Sequence, residues 1–159
     1  MERPLPASAQ RVQDALRQRG VAVEIVLLQE RARTAQQAAE AIGCTVAQIV
    51  KSLVFVAGEA PLLVETSGAN RVDLAKLEAL LGRPVRSANA DEVRAFTGFA
   101  IGGIPPVGHA RPIETLIDQD LLAHETVYAA GGVPEAIFPT TPQQLVAMTG
   151  GRVADVKAA

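Results

Sequence analysis

Lys51 stands at the mouth of an apolar run, QIVKSLVFV over residues 48–56, and the only other lysines are Lys76 and Lys157. In a strand over 51–57, alternation puts Lys51, Leu53, Phe55 and Ala57 on one face. With Leu53 and Phe55 turned to a core, the ammonium points inward at the strand's end and needs a polar or anionic partner. Two readings fit. Either the stem snorkels to water or a neighbouring carboxylate, or the cation holds a carbonyl, carboxylate or phosphate oxygen at a pocket mouth. Ser52 points to the opposite face, which speaks against a Ser–Lys nucleophile pair.

A second candidate is GGIPPVGH, residues 102–109. Gly102, Gly103 and Gly108 permit backbone conformations closed to other residues, while Pro105 and Pro106 fix φ and remove two donors. The segment is a stiff turn, or a loop that brings free amides against a small ligand or a developing oxyanion. Its glycine spacing fits neither a P-loop nor a dinucleotide fingerprint. A third candidate, Gly131 and Gly132, follows directly on a strand and forms either a second pocket rim or a strand exit.

Metal chemistry finds little support. His109 and His124 lie far apart in sequence, and no ligand-spaced His/Cys/Asp set surrounds them. The lone Cys44 precludes an internal disulfide and sits just past a helix end, where packing is its expected role. No cofactor is expected.

The elements that must position these residues alternate. Helices are predicted over 8–20 with Ser8 as N-cap, over 34–43 with a Thr34/Gln37 capping box, over 73–82, over 89–98 with an Asn89/Glu92 box, and from Thr141 with Pro142 at N1. Strands are predicted over 21–28, as a hairpin over 51–66, and at 84–88, 113–118 and 126–132. Ala35, Ala38, Ala39 and Ile42 form a small-residue stripe that seats its helix close to whatever it covers. Asp118 and Asp120 are expected to cap the turn after their strand. Hairpin-linked strands among helices favour an α+β fold with a mixed sheet.

The chain has 159 residues, 48% of them hydrophobic and 20% charged, which suits a single globular domain over 1–159. No apolar run is long enough for a membrane span, and the first residues lack a leader pattern, so a cytoplasmic protein is expected. A net charge of −2 and 3% aromatic residues argue against a broad nucleic-acid face or a stacking platform. Contact with only the end of a nucleic acid remains compatible.

In order and spacing, TAQQAA, QIVKSLVF, TGFAIGGIPPVG, ID and AGG resemble the YbaK and ProX family, freestanding relatives of the editing domain of bacterial prolyl-tRNA synthetase. The resemblance runs from about residue 20 to 155. It implies a curved, partly barrel-like mixed sheet surrounded by helices. It also implies hydrolysis of the ester joining a wrong, small amino acid to tRNA, tRNA(Pro) in particular. The family lysine falls on Lys51, the GxxxP loop on Gly102 to Pro106, and the glycine pair on Gly131 and Gly132. Lys51, Gly102 and Gly103 are then the expected catalytic set. Thr34, Ile104, Pro105, Pro106, Gly108, His109, Ala130, Gly131 and Gly132 are the expected substrate-binding set. Ala130 stands where YbaK-like members carry serine, which weakens the case for a cysteinyl preference. The implied partners are the acceptor 3′ end of aminoacylated tRNA and prolyl-tRNA synthetase, with the protein a monomer or weak homodimer. Arg31, Arg33, Arg71 and Arg111 are candidate tRNA contacts. Whether Lys51 is catalytic or only binds stays open, as does a non-catalytic module that holds the charged 3′ end or an aminoacyl-nucleotide.

Overall fold

The structure, a computed structural model, describes residues 3–159. The elements run α1 (Ala7–Gln18), β1 (Val26–Leu27), α2 (Ala35–Ile42), β2 (Val50–Ala57), β3 (Ala60–Ser67), α3 (Leu74–Leu81), β4 (Val85–Ser87), α4 (Ala90–Thr97), β5 (Glu114–Asp118), β6 (Val127–Ala130), β7 (Ala136–Thr140), α5 (Pro142–Thr149) and β8 (Arg152–Ala154). The class is α+β, as expected. A five-stranded mixed sheet runs β4-β2-β3-β5-β8, antiparallel through β4, β2 and β3 and parallel through β3, β5 and β8. A three-stranded antiparallel sheet runs β1-β7-β6, and an Ile49–Tyr128 bridge joins the two. They do not close into a barrel. No described helix is long and apolar enough to cross a membrane.

Both faces of the large sheet are covered, so β2 and β3 read as almost continuous apolar runs. Phe55, Leu62, Val64 and Leu116 pack on one face with Leu77 of α3. Val50 and Ile117 pack on the other with Val12 and Leu16 of α1, Phe138, and Leu145 of α5. Val54 and Leu63, farther along that second face, meet Val93 of α4 and Ile104. The expected caps at Thr34, Asp73, Asn89 and Thr141 are present. Asp118 likewise accepts from Asp120 N–H at 3.0 Å.

Three expectations need correction. Helix α1 begins at Ala7 behind Pro6, with no side-chain cap, so Ser8 lies inside the helix. The strand predicted over 21–28 shrinks to Val26–Leu27. Val21 and Ile25 are buried there, but a side chain replaces a partner strand. Gln13 Nε2 donates to the Val23 carbonyl, and the Ile25 N–H donates to Gln13 Oε1, both at 2.9 Å. Finally, β7 forms over Ala136–Thr140, where no strand is predicted. Gly131 N–H donates to the Ala136 carbonyl, so alternation makes Tyr128–Pro139 a non-hydrogen-bonded pair. The missing N–H of Pro139 therefore faces the β1 side, where pairing stops at Ile137, and no ladder bond is lost.

Gln13→Ala should therefore destabilise the fold by about 2–4 kcal/mol, since it opens a cavity and strands two backbone groups. A urea titration reads this as a lower midpoint at unchanged slope. An unchanged midpoint would show that the 21–25 segment holds itself.

Candidate active site

The hydrogen-bond parity of β2 creates the site. Gly68 N–H donates to the Ile49 carbonyl, so in the β2–β3 register the odd residues 51, 53, 55 and 57 direct their backbone groups to β3. The even residues turn theirs outward. There β4 pairs with Val56 through Arg86, and Ala88 N–H donates to the Val54 carbonyl at 3.1 Å. At the other end, the Ile49–Tyr128 bridge brings in β6. Between these contacts the outward edge at Ser52 has no strand beside it. A groove of about 760 Å³ fills the space.

Its walls come from elements far apart in sequence. The alanine stripe lets α2 settle against Ile49 and Ile137, which carries Thr34, Ala35 and Ala38 to the groove. Thr34 lines it while its hydroxyl accepts from the Gln37 N–H at 3.1 Å. Ile101, Gly102 and Ile104 line the opposite side, with Tyr128 and Ala130 of β6. Gly102 has φ +104°, which glycine adopts freely. Gly103 lies beneath, and a Cβ there would fall 2.6 Å from Val133 Cα, so two backbones touch at this point. Ile101 is 62% exposed at the rim.

Lys51 and its partners fix one margin. The side chain is half-buried and lies on the Leu53/Phe55 face, as alternation predicts. Nζ donates to the Asn70 carbonyl at 2.8 Å. Asn70 is itself held, for Nδ2 donates at 2.9 Å to both Asp118 Oδ2 and Asp120 Oδ2. Asp118, 1% exposed, also accepts from Thr66 Oγ1 and Ser67 N–H at 3.1 Å. Burial lowers the Lys51 pKa, Arg71 lowers it further, and Asp118 opposes both. The ammonium thus sits on a fixed carbonyl beside the groove.

The other sequence candidates separate. Pro105 is buried, and His109 Nε2 donates to its carbonyl at 2.7 Å. Pro106, Gly108 and His109 line a second hollow of about 350 Å³ with Arg19, Arg111 and Met148. Gly131 and Gly132 turn the chain between β6 and β7. Gly131 packs on Ala136 and Ile25, and Gly132 on the Ser8 carbonyl. Of the four arginines, Arg33 lines the groove. Arg31 pairs with Glu135 at 3.3 Å, and Arg111 stacks over Phe96 at 5.2 Å.

Sequence reasoning passed over Asn70 and Glu65. The signal for Glu65 was an acid inside the apolar strand APLLVETS. Ser52 and Glu65 face each other across β2 and β3, with Oγ and Oε2 hydrogen-bonded at 2.7 Å. Glu65 is 0% exposed, and its Oε1 has no partner among the described residues. Burial pushes its pKa up to about 8, while the Ser52 bond pulls it down. Among the described residues no group of three His, Cys, Asp or Glu side chains is placed to hold a metal ion.

What this arrangement can do is bind a small polar group with an attached apolar part. It offers two cations, Lys51 and Arg33, an open strand edge and a glycine turn, between walls of alanine, threonine and isoleucine. Known proteins are similar to this chain in sequence and fold. The sequence profile of the aminoacyl-tRNA editing domain matches residues 29–148. A crystal structure of a candidate trans-editing enzyme for prolyl tRNA synthetase superposes with a TM-score of 0.95 and 51% identity, covering 98% of this chain and 100% of that one. YwhH of Bacillus subtilis is 34% identical over 113 residues, 70% of this chain and 72% of its own. EbsC of Enterococcus faecalis, a candidate Cys-tRNA(Pro)/Cys-tRNA(Cys) deacylase, is 24% identical over 125 residues, 77% of this chain and 76% of its own. With three-quarters of its length under the profile and the β2-edge groove inside that span, the chain belongs to the aminoacyl-tRNA editing domain family.

Proposed function

We propose that this chain, acting as one domain over 1–159, is a freestanding deacylase that clears a mischarged small amino acid from tRNA(Pro). The observation that carries this reading is the groove at the open edge of β2, narrow-walled at Thr34 and Ala130 and flanked by Lys51 and Gly102. An aminoacyl group enters between those walls, and the terminal adenosine rests against exposed Ile101. Arg33, at the groove, and Arg71 meet the backbone near the acceptor end in this reading. The reaction takes place in the cytoplasm, beside prolyl-tRNA synthetase, with the protein as a monomer or weak homodimer.

Hydrolysis of an aminoacyl ester asks little of a catalyst. Water attacks the ester carbonyl; attack by the ribose 2′-hydroxyl first moves the acyl group from the 3′ to the 2′ oxygen, and water then cleaves that ester. The bond between carbonyl carbon and ribose oxygen breaks, and a proton passes to that oxygen. Products are the free amino acid and uncharged tRNA when water attacks. Orientation and electrostatics suffice for such a step. Lys51 positions the 3′ end through a phosphate or carbonyl oxygen, exchanging its bond to Asn70 for one to substrate. The amides of the Gly102–Gly103 turn hold the carbonyl or the α-amino group. Pocket size sets selectivity, at about 1–3 kcal/mol per methylene.

The first test is ester hydrolysis on tRNA(Pro) charged in turn with alanine, cysteine, serine, threonine and proline. Rapid loss of one non-proline amino acid is expected, with kcat/KM lowered at least a hundredfold or so in Lys51→Ala. Binding of charged tRNA with no hydrolysis of any ester would leave a non-catalytic module for the 3′ end. On the same panel, Ala130→Val should depress kcat/KM for the largest accepted side chain by about tenfold or more and spare the smallest. Equal effects on all would remove Ala130 from the side-chain wall.

A further inference from the structure

Ser52 is the groove residue whose backbone edge is open, and its hydroxyl is tied to a carboxyl that nothing else satisfies. Glu65 is fully buried on β3, on the face shared with Val50, Val54, Leu63 and Ile117. Among the described residues its carboxyl has one hydrogen-bond partner, Ser52 Oγ at 2.7 Å. Among the described residues no charged group pairs with it. On α1, Arg11 bonds to the Gly98 carbonyl, Asp14 to Gln10, Arg17 to Glu24 and Arg19 to the Ala15 carbonyl. On α4, Glu92 pairs with Arg86, and neither Asp91 nor Arg94 bonds to Glu65; α5 carries no charge. In the 99–109 loop, His109 is taken by Pro105.

An ion left alone in such a place is far costlier than a neutral acid. The neutral acid must put its proton somewhere, and Ser52 Oγ is the acceptor within reach. The proton then sits on Oε2 and donates to Ser52, while Oε1 is the bare carbonyl oxygen. A hydroxyl that accepts from Glu65 keeps its own O–H free. Because Ser52 lines the groove, that free O–H is available there as a donor. Were Glu65 ionised, Ser52 would have to donate inward and would offer the groove only lone pairs.

We propose that the Ser52 hydroxyl is a substrate-binding donor to an oxygen of the aminoacyl ester, and that Glu65 is a positioning residue whose neutral carboxyl keeps that hydroxyl pointed outward. This rests on the deacylase reading of the groove. It assigns Glu65 no contact with substrate and no proton transfer in the reaction.

The test compares wild type, Ser52→Ala, Glu65→Gln and Glu65→Ala on the aminoacyl-tRNA that wild type cleaves fastest, with the fold of each verified by its urea midpoint. Ser52→Ala should lose about a hundredfold in kcat/KM while remaining folded. Glu65→Gln keeps a neutral donor to Ser52 Oγ and should stay within about threefold of wild type at neutral pH, whereas Glu65→Ala should approach Ser52→Ala. The separating readout is the pH profile. As pH rises through about 8, wild type should lose rate relative to Glu65→Gln, because only the carboxyl ionises there. The inference is overturned if folded Ser52→Ala cleaves like wild type, if Glu65→Gln is as impaired as Ser52→Ala, or if the two pH profiles run parallel. Any of these with an active wild type leaves the deacylase standing. A wild type that cleaves no ester removes both.

Discussion

The groove exists because β2 is paired along its whole length on one side and only in part on the other. Backbone donors and acceptors must be satisfied wherever water is excluded, so a strand that leaves some open must leave them facing a solvent-filled space. The two neighbours that could have continued the ladder each stop short. β4 covers 55–57 and β6 touches only near Ile49. Everything that borders the gap is built to approach it closely without filling it. The alanines of α2 reduce its footprint, and Gly103 lets the 102–104 turn lie on the Val133 backbone. A larger residue at either place would push a wall outward or shift the turn, and the cavity would change shape before the fold failed.

That edge also explains why Lys51 can sit at the margin of an apolar strand. Its charge is answered by a carbonyl, and the carbonyl belongs to an asparagine gripped by two aspartates. Asp118 is the hub. It closes β5, starts the next turn, and receives Thr66, Ser67 and Asn70. A carboxylate bound by several N–H and O–H donors is stable in the interior without a direct ion pair. The lysine is therefore preset in position at the margin of the groove, held on a neutral acceptor.

Local rules made much of this legible. Caps, glycine stops and alternation placed α2, α3, α4, α5 and the β2–β3 hairpin, and alternation alone put Lys51 and Ser52 on opposite faces. The misses share a cause: they depend on what a segment meets across space. Val21–Ile25 has the residues of a strand, but Gln13, a helix residue, occupies its backbone groups. Strand β7 is not predicted from sequence, since which side of Pro139 goes unpaired is fixed only once β1 is placed. For the site, the motif order brought out Lys51, Gly102, Ile104, Thr34 and Ala130, which line one groove. Sequence proximity also drew in Gly108 and His109, which line the second hollow behind the rigid Pro105–Pro106 turn. Glu65 escaped notice because period-two patterning marks which face a residue takes, not whether that face is dry.

Glu65 bears on stability as well as on the groove. Its carboxyl titrates near 4.5 when unfolded and at about 8 in the fold, so the native state holds a proton that the unfolded chain gives up. Stability from this group is fully present below about 4.5 and falls as pH rises, until the loss is complete above about 8. Near neutrality the fold is already giving up part of it. A leucine or glutamine would avoid that loss at the same volume or nearly so. Structure alone gives no reason for the acid, since its one hydrogen bond could be made by an amide and its second oxygen makes none. The one feature that distinguishes the acid from either replacement is that it can ionise, which reverses the direction of its hydrogen bond with Ser52 Oγ. A group that costs stability, buried beneath the groove and joined to it through the Ser52 hydroxyl, is the kind of perturbed acid that clusters at functional sites more than in plain cores.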